Sequence, residues 1–400
     1  PSVFYSKEMV FNSDRLFGRH NRCFLATKVK PDRANLIKTT GDEDVFNVPS
    51  EEVPLKFPTC EFIIKDAWPE VDRDPANDSR DEIIHLLKIK EKLENDSQLY
   101  NMYPRIDSGG RVQFVHGPDS TEYAYDTTKT ILGGVSGDGI NDIPVRVHKR
   151  IAMTPVGRLL RWLSSVYELV IVMADAMRCH GHIFEHCRIL HRDISPNNIL
   201  FTKDENNMVR GLLIDFDHSI DYNEEASTPH AERTGTLPFM SVANLERSEN
   251  SRTALDDWES VIYMLCWFGV SGLNKYTRTE GRTAEHPQID KWLRGNMASR
   301  AEEKRAHLDS AKNFSRITDE FDPVMDPPTT KGLFLSQLVK SLRQVLIDDH
   351  ANEKHRGALK RDPSKMFSVD DPFDSDSDFS VDAIRAPIVE KIDPFAERVS

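Results

Sequence analysis

Residues 191–198 read His-Arg-Asp-Ile-Ser-Pro-Asn-Asn, and Asp215-Phe216-Asp217 follows behind a short apolar run. No other feature constrains the chain so tightly. Asp193, Asn198 and Asp215 supply one carboxylate that can orient a hydroxyl group. They also supply a carboxylate and an amide that can hold a hard divalent cation on phosphate oxygens. A chance His-Arg-Asp is the competing explanation. Asn198 and Asp215, both in register, argue against it.

The flanking pattern fits a loop that carries chemistry. Leu163 to Ile183 alternates Val, Leu, Met and Ala with polar residues at helical spacing, which predicts an amphipathic helix leading into the loop. Ile199-Leu200-Phe201 and Leu212-Leu213-Ile214 are short apolar runs around the polar stretch Thr202 to Arg210. They predict two strands joined by a turn.

The chain has 400 residues, enough for two lobes and a large core. A net charge of −13 argues against a nucleic-acid surface as its main business, because phosphate backbones demand clustered Lys and Arg. No stretch reaches eighteen uninterrupted apolar residues, so no membrane span is expected. No secretory signal opens the sequence. The start at Pro1 leaves room for a missing N-terminus with its own targeting signal. Cys23, Cys60, Cys179, Cys187 and Cys266 are scattered without a Cys-x-x-Cys pair. Free thiols in a reducing compartment are expected, and with them an intracellular place, cytoplasmic or nuclear.

Along the chain, Leu16-Phe17-Gly18 and Cys23 to Ala26 suggest a hairpin, and residues 31–59 a long loop. Cys60 to Lys65 reads as a short strand ending at the lysine. Asp81 to Leu93 reads as a helix facing inward through Ile83, Leu86, Leu87 and Leu93, with Asp78 or Ser79 as cap. Residues 105–142 read as loop. Val145 to Met153 reads as a strand entering a hinge at Thr154-Pro155-Val156-Gly157, and the pattern is mostly helical from there to about 347. Residues 370–378 are acidic and Ser-rich, which marks a disordered tail. The expected division is 1–153, 154–347 and 348–400.

Four stretches together resemble the fungal-type protein kinase family, within the eukaryotic protein kinase-like superfamily. They are Phe62 to Pro69, His191 to Asn198, Arg233 to Ser241, and Asp256-Asp257-Trp258-Glu259-Ser260. The resemblance spans roughly residues 10 to 345. It implies an α+β, bilobal protein kinase-like fold, with a small β-rich N-lobe, a larger mainly helical C-lobe and Mg·ATP between them. It implies transfer of the γ-phosphoryl group to Ser or Thr hydroxyls of a protein substrate. Asp193 would accept or orient the hydroxyl proton, and Asn198 and Asp215 would hold Mg2+. Lys65 would bind the α- and β-phosphates while paired to Glu82, with Glu70 as a competitor between two prolines. Gly18 would begin the phosphate-covering loop. Arg192 would either anchor a phosphorylated segment or form a structural ion pair.

The sequence also departs from the family pattern. The G-x-G-x-x-G loop keeps only Gly18, with Arg19 and Arg22 nearby to offset the loss by charge. Ser195 stands where many relatives carry Lys. Asp217 replaces the Gly of D-F-G, which should stiffen that turn. Ala243 stands where a Glu usually pairs with an Arg deep in the lobe. Asp256 is expected to brace the catalytic loop, with Asp257 as its rival, and Thr236 to hydrogen-bond near Asp193. Ser227, Thr228 and Thr234 are candidate phosphosites. His180, His182, His186, Cys187 and His191 crowd together but lack a zinc-enzyme pattern. Residues 133–139 are Gly-rich but lack the Lys that follows a phosphate loop. Two rival readings stay open. One is a pseudokinase scaffold, favoured by the degenerate glycine loop and Ala243. The other is a small-molecule phosphotransferase of the aminoglycoside or choline type, suggested by Ile214 to Asp217.

Overall fold

The computed structural model describes residues 3–12, 21–29, 61–70, 81–96, 99–115, 123–128, 145–222, 235–246, 253–273, 286–323, 325 and 334–356. Its contacts divide the chain into two units. One comprises Pro1–Asp78 with Pro104–Val156, and the other Ser79–Tyr103 with Gly157–Ser400.

The first unit is built on a five-stranded sheet. Strands β1 (Val3–Asn12), β2 (Arg22–Val29), β3 (Phe62–Ala67), β4 (Arg105–Arg111) and β7 (Lys149–Thr154) take the order β1-β2-β3-β7-β4. All pairs are antiparallel. A hairpin of β5 (Gln113–Val115) and β6 (Tyr123–Tyr125) lies apart from this sheet. Successive side chains of a strand point to opposite faces. Ile64 therefore joins Ala26 and Ala152 in a small core, with Phe4, Phe24 and Phe62 packed against it. Asp66 shares that face and lies opposite Arg150 on β7, which binds both its oxygens at 2.6 and 2.7 Å. His148 approaches Asp66 at 3.5 Å and Asp126 at 2.8 Å, and its ring stacks on Trp68. Burial alone would raise the Asp66 carboxyl. The Arg150 and His148 bonds outweigh it and hold the group down at about 2.

Two expectations are corrected here. The hairpin begins earlier, with Val3–Asn12 as its first strand, while Leu16 to Gly18 lie outside the described residues. Within 105–142, expected to be loop, Arg105–Arg111, Gln113–Val115 and Tyr123–Tyr125 are strands. Arg-Ile-Asp-Ser-Gly-Gly-Arg has low strand propensity and no apolar alternation. It is held at the sheet edge by its ladder to β7, an example of tertiary pairing overriding composition.

The second unit is mainly helical. Helix α1 (Glu82–Leu93) buries Glu82, His85, Leu86, Ile89 and Leu93, whereas Ile84 and Leu87 are 46% and 50% exposed. The expected inward position of Leu87 is therefore wrong, because two polar residues occupy the inner face. Its cap is Asp81, which accepts from the Ile83 N–H at 3.0 Å. The expected caps Asp78 and Ser79 lie outside the described residues. Helix α2 (Val166–Cys187) is capped by Ser165 and ends at Arg188, whose left-handed φ of 56° turns the chain back.

Strands β8 (Arg158–Leu159), β10 (Ile199–Lys203) and β11 (Val209–Leu213) form a three-stranded sheet, and β9 (Ile189–Leu190) pairs with β12 (Ile220–Asp221). The pair β10/β11 is the hairpin read from sequence. Gly211 on β11 touches α2 so closely that a Cβ there would lie 2.2 Å from the Val172 carbonyl oxygen. Helices α3 (Val242–Glu246), α4 (Ala254–Ser271), α5 (Pro287–Asp290), α6 (Met297–Asp309), α7 (Ala311–Thr318) and α8 (Leu335–Arg356) complete the described unit. Helix α4 is buried along nearly its whole length, with α8, α7 and α3 packed on it. The glycines at 133–139, the phosphosite candidates Ser227, Thr228 and Thr234, and residues 357–400 lie outside the described residues, whereas 348–356, expected to belong to the disordered tail, continue helix α8. Cys23, Cys179, Cys187 and Cys266 are thiols, not disulfides.

Candidate active site

The segment after α2 is held from several sides. His191 is fully buried, which pushes its imidazole below the ordinary value toward the neutral form. Its Nε2 donates to the Ile214 carbonyl at 2.9 Å, leaving Nδ1 to accept from the Asp193 N–H at 3.3 Å. The ring meets Phe216 edge-on. Arg192 takes a left-handed φ of 70°. Its N–H reaches both oxygens of Asp257 at 3.2 and 3.3 Å, and His180 Nε2 bonds the same carboxylate at 2.7 Å. Burial would raise the Asp257 carboxyl, but His180, His191 and the Arg192 N–H hold it below its usual range.

Asp257 is thus the brace of the loop, and the expectation of Asp256 is corrected. Asp256 sits at the third position of α4 and closes a capping box with Thr253. Its other oxygen accepts from Ser241.

Asp193 lies at the centre of a small network. Its Oδ1 accepts from both the N–H and the hydroxyl of Thr236, each at 2.8 Å. Its Oδ2 accepts from Asn198 Nδ2 at 3.0 Å, and the same amide donates to the Asp193 carbonyl at 2.8 Å. The Asn198 carbonyl accepts from the Ile214 N–H, next to Asp215. The structure therefore joins Asp193 to Asn198 directly and ties Asn198 to the strand that ends before Asp215.

Asp215 has φ 67° and ψ 74°, and a single 3-10 turn over Phe216–His218 follows it. Ligand oxygens of Glu82, Asp215 and Asp217 lie within 4.8 Å of one another. Helix α1 grips this turn along one row of side chains. Glu82 Oε1 accepts from the Phe216 N–H at 3.3 Å. His85 Nδ1 meets Ser219 Oγ at 2.6 Å, while that hydroxyl donates to the Phe216 carbonyl at 2.5 Å. Lys88 pairs with Asp221 at 2.6 Å. Of these residues only Glu82 is expected from the sequence; His85, Lys88 and Ser219 emerge from the structure. The i, i+3, i+6 spacing of polar residues on an otherwise apolar helix was the available signal.

Lys65 stands in the sheet unit, 4% exposed, between Cys23 and Ile151 in the ladder. The strand runs two residues past it, to Ala67, instead of ending there. Glu70 bridges to Arg146, with which it forms an ion pair at 3.7 Å. Gly18 lies outside the described residues. Among the described residues, the clustered histidines do not gather three ligand atoms, and the carboxylate trio at Asp215 is the group that does.

A family model described as fungal protein kinase matches residues 3–269. The chain belongs to the fungal protein kinase family. The sheet-rich and mainly helical units are the two parts of an α+β protein kinase fold, as the resemblance implied. The solved structure of vaccinia related kinase 3 is similar at 12% identity and a TM-score of 0.45, over 97% of this chain and 88% of that one. No helix of this fungal kinase-family chain, among the described residues, is long and apolar enough to cross a membrane.

Proposed function

We propose that the protein transfers the γ-phosphoryl group of Mg·ATP to Ser or Thr hydroxyls of protein substrates. The observation that carries this reading is the Asp193 carboxylate, held by Thr236 on one oxygen and Asn198 on the other. Phosphoryl transfer has a loose transition state, so positioning and charge do most of the work. A carboxylate fixed in this way is suited to accept or orient the proton of an incoming hydroxyl.

The donors near Asp215 suit a hard cation. Both bonds of the Asn198 side chain use Nδ2, which leaves Oδ1 as its ligand atom, and the nearby carboxylates offer only oxygen. Asn198 and Asp215 would hold Mg2+, which when bound neutralises charge on the phosphate oxygens. Glu82, through the Phe216 N–H, keeps the backbone beside Asp215 in place. Lys65, buried on β3, would contact the α- and β-phosphates and pair with Glu82 in the working enzyme, and Gly18 would lie in the loop over the phosphates. Thr236 belongs to the stretch Gly235 to Met240, which faces the acceptor and favours a polypeptide over a small alcohol.

The test is transfer of labelled γ-phosphate, with Mg2+ or Mn2+, to the protein itself and to generic basic proteins, alongside Asp193→Asn. Incorporation lost in the variant supports the reading. No incorporation by the folded wild type moves the weight to a nucleotide-binding scaffold. Labelling of small alcohols without polypeptide moves it to a small-molecule phosphotransferase.

A further inference from the structure

Lys304 is a lysine with 0% of its surface exposed, an expensive placement unless its ammonium is used. It lies on α6 and donates from Nζ to the carbonyl of Met240 at 2.5 Å. Its Nζ also sits 3.8 Å from the centre of the Tyr263 ring on α4. Two residues along the chain, the Val242 N–H donates to Glu259 Oε1 at 2.7 Å, and the Tyr263 hydroxyl donates to the same oxygen at 2.5 Å. Between them, Ser241 Oγ donates to Asp256 Oδ1 at 2.6 Å. Three consecutive residues are thus each fastened to α4 or α6 by a buried polar side chain.

We propose that Lys304, Asp256 and Glu259 form a three-point clamp on Met240, Ser241 and Val242 that positions Thr236 against Asp193 for polypeptide acceptors. The proposal rests on the reading of Asp193 and Thr236 as the acceptor side. The lever arm between clamp and site is short. The single 3-10 turn Leu237–Phe239 joins Thr236 to Met240, closed by the Phe239 N–H on the Thr236 carbonyl at 2.8 Å. The clamp also accounts for Ala243, whose methyl group cannot anchor this segment by charge. Fixation comes instead from two helices acting on the Met240 carbonyl, the Ser241 hydroxyl and the Val242 N–H just before it.

The clamp does not need an ion pair. Burial pushes the Glu259 carboxyl up and the Lys304 ammonium down, each toward neutrality. A neutral amine still donates to a carbonyl, and a protonated carboxyl still offers an oxygen to Val242. The three residues are positioning residues, since none touches the reacting atoms.

The test is Lys304→Met in the full chain, with two readouts. Amide hydrogen exchange at 240–246 should quicken about tenfold while the amides of α2 stay protected, because one hydrogen bond from a buried donor is lost. In steady-state kinetics, KM for a polypeptide acceptor should rise about tenfold with KM for ATP unchanged. Unchanged exchange in the folded variant overturns the clamp, and so does an equal rise in both KM values. If Lys304→Met does not fold, Ser241→Ala removes the middle point together with the bond its hydroxyl accepts from the Asn244 N–H at 3.1 Å, so exchange is read at 240–242, and both readouts should move in the same direction. An unmoved result there also overturns the proposal. Wild-type protein that transfers no phosphate would refute the proposed function instead, and the exchange arm would still decide the clamp.

Discussion

Thr236 brings both its N–H and its hydroxyl to one oxygen of Asp193, at 2.8 Å each. Two donors on a single oxygen fix the carboxylate against rotation and direct its other oxygen to Asn198. Thr236→Val keeps the N–H and the shape but removes the hydroxyl. We expect kcat to fall about tenfold with KM for ATP unchanged, read from initial rates of γ-phosphate transfer. An unchanged kcat would show that the N–H alone orients Asp193.

Lys65→Met and Asp215→Asn should each abolish transfer. Methionine preserves much of the volume that Lys65 fills in the buried sheet, so a loss of activity there reports lost charge. Asp215→Asn keeps the left-handed turn accessible, because asparagine tolerates positive φ. Full activity in either variant removes that residue from the site.

Asp217 is the carboxylate that a conventional D-F-G segment lacks. With its oxygens within 4.8 Å of those of Glu82 and Asp215, it adds negative charge where a cation would sit. Asp217→Asn should raise the Mg2+ concentration for half-maximal rate several-fold and leave the rate at saturating Mg2+ nearly intact. A superimposable Mg2+ titration would exclude Asp217 from metal binding.

The sheet unit carries its own pH signature. Asp66 is held at about 2, below its unfolded value near 4, so its stabilisation is complete above about pH 4 and is lost as pH falls through 2. Burial lowers the His148 imidazole, but Asp66 and Asp126 outweigh it and raise the group above its ordinary value. Its stabilisation is present below about pH 6.5 and lost as pH rises through the raised value. Thermal melts between pH 5 and 9 should decline along that alkaline limb, and His148→Gln should flatten it. A limb that persists in the variant assigns it to another group.

Gly211→Ala tests the packing beneath the site. The added Cβ meets the backbone of Val172, which cannot swing aside as a side chain would. We expect a loss of about 3 kcal/mol in chemical denaturation. A loss under about 0.5 kcal/mol would show that α2 and β11 have more slack than their contact implies.

The parts of this protein legible in its sequence are those where chemistry dictates residue type or where apolar runs are regular. His191 to Asn198 stood out because the residue types proposed to orient a hydroxyl and hold a cation admit few alternatives, and the structure joins Asp193 to Asn198 there. The hairpin at 199–213 was readable from its two aliphatic runs. Strand β4 was not, because Ser108, Gly109 and Gly110 carry no strand preference and depend on their neighbour. The inner face of α1 was misassigned because buried Glu82 and His85 interrupt the apolar period, and outward Ile84 and Leu87 imitate it. Choosing between Asp256 and Asp257 required knowing where α4 starts. One residue of phase decides which carboxylate closes the cap and which turns to Arg192.

Residues 79–103 leave the sheet unit between β3 and β4 and pack instead with the helical unit. This detour imposes a birth order on the protein. A nascent chain that has reached Thr154 holds every strand of the five-stranded sheet, including the one bearing Lys65. At that moment Glu82 still lacks the Phe216 N–H, His85 the Ser219 hydroxyl, and the buried Leu86 and Ile89 the α2 surface, because α2 and the 216–221 turn are still to be made. The ribosome thus releases α1 before the part of its seat formed by α2 and that turn exists. Its docking is a late event, possible only once about seventy further residues have emerged.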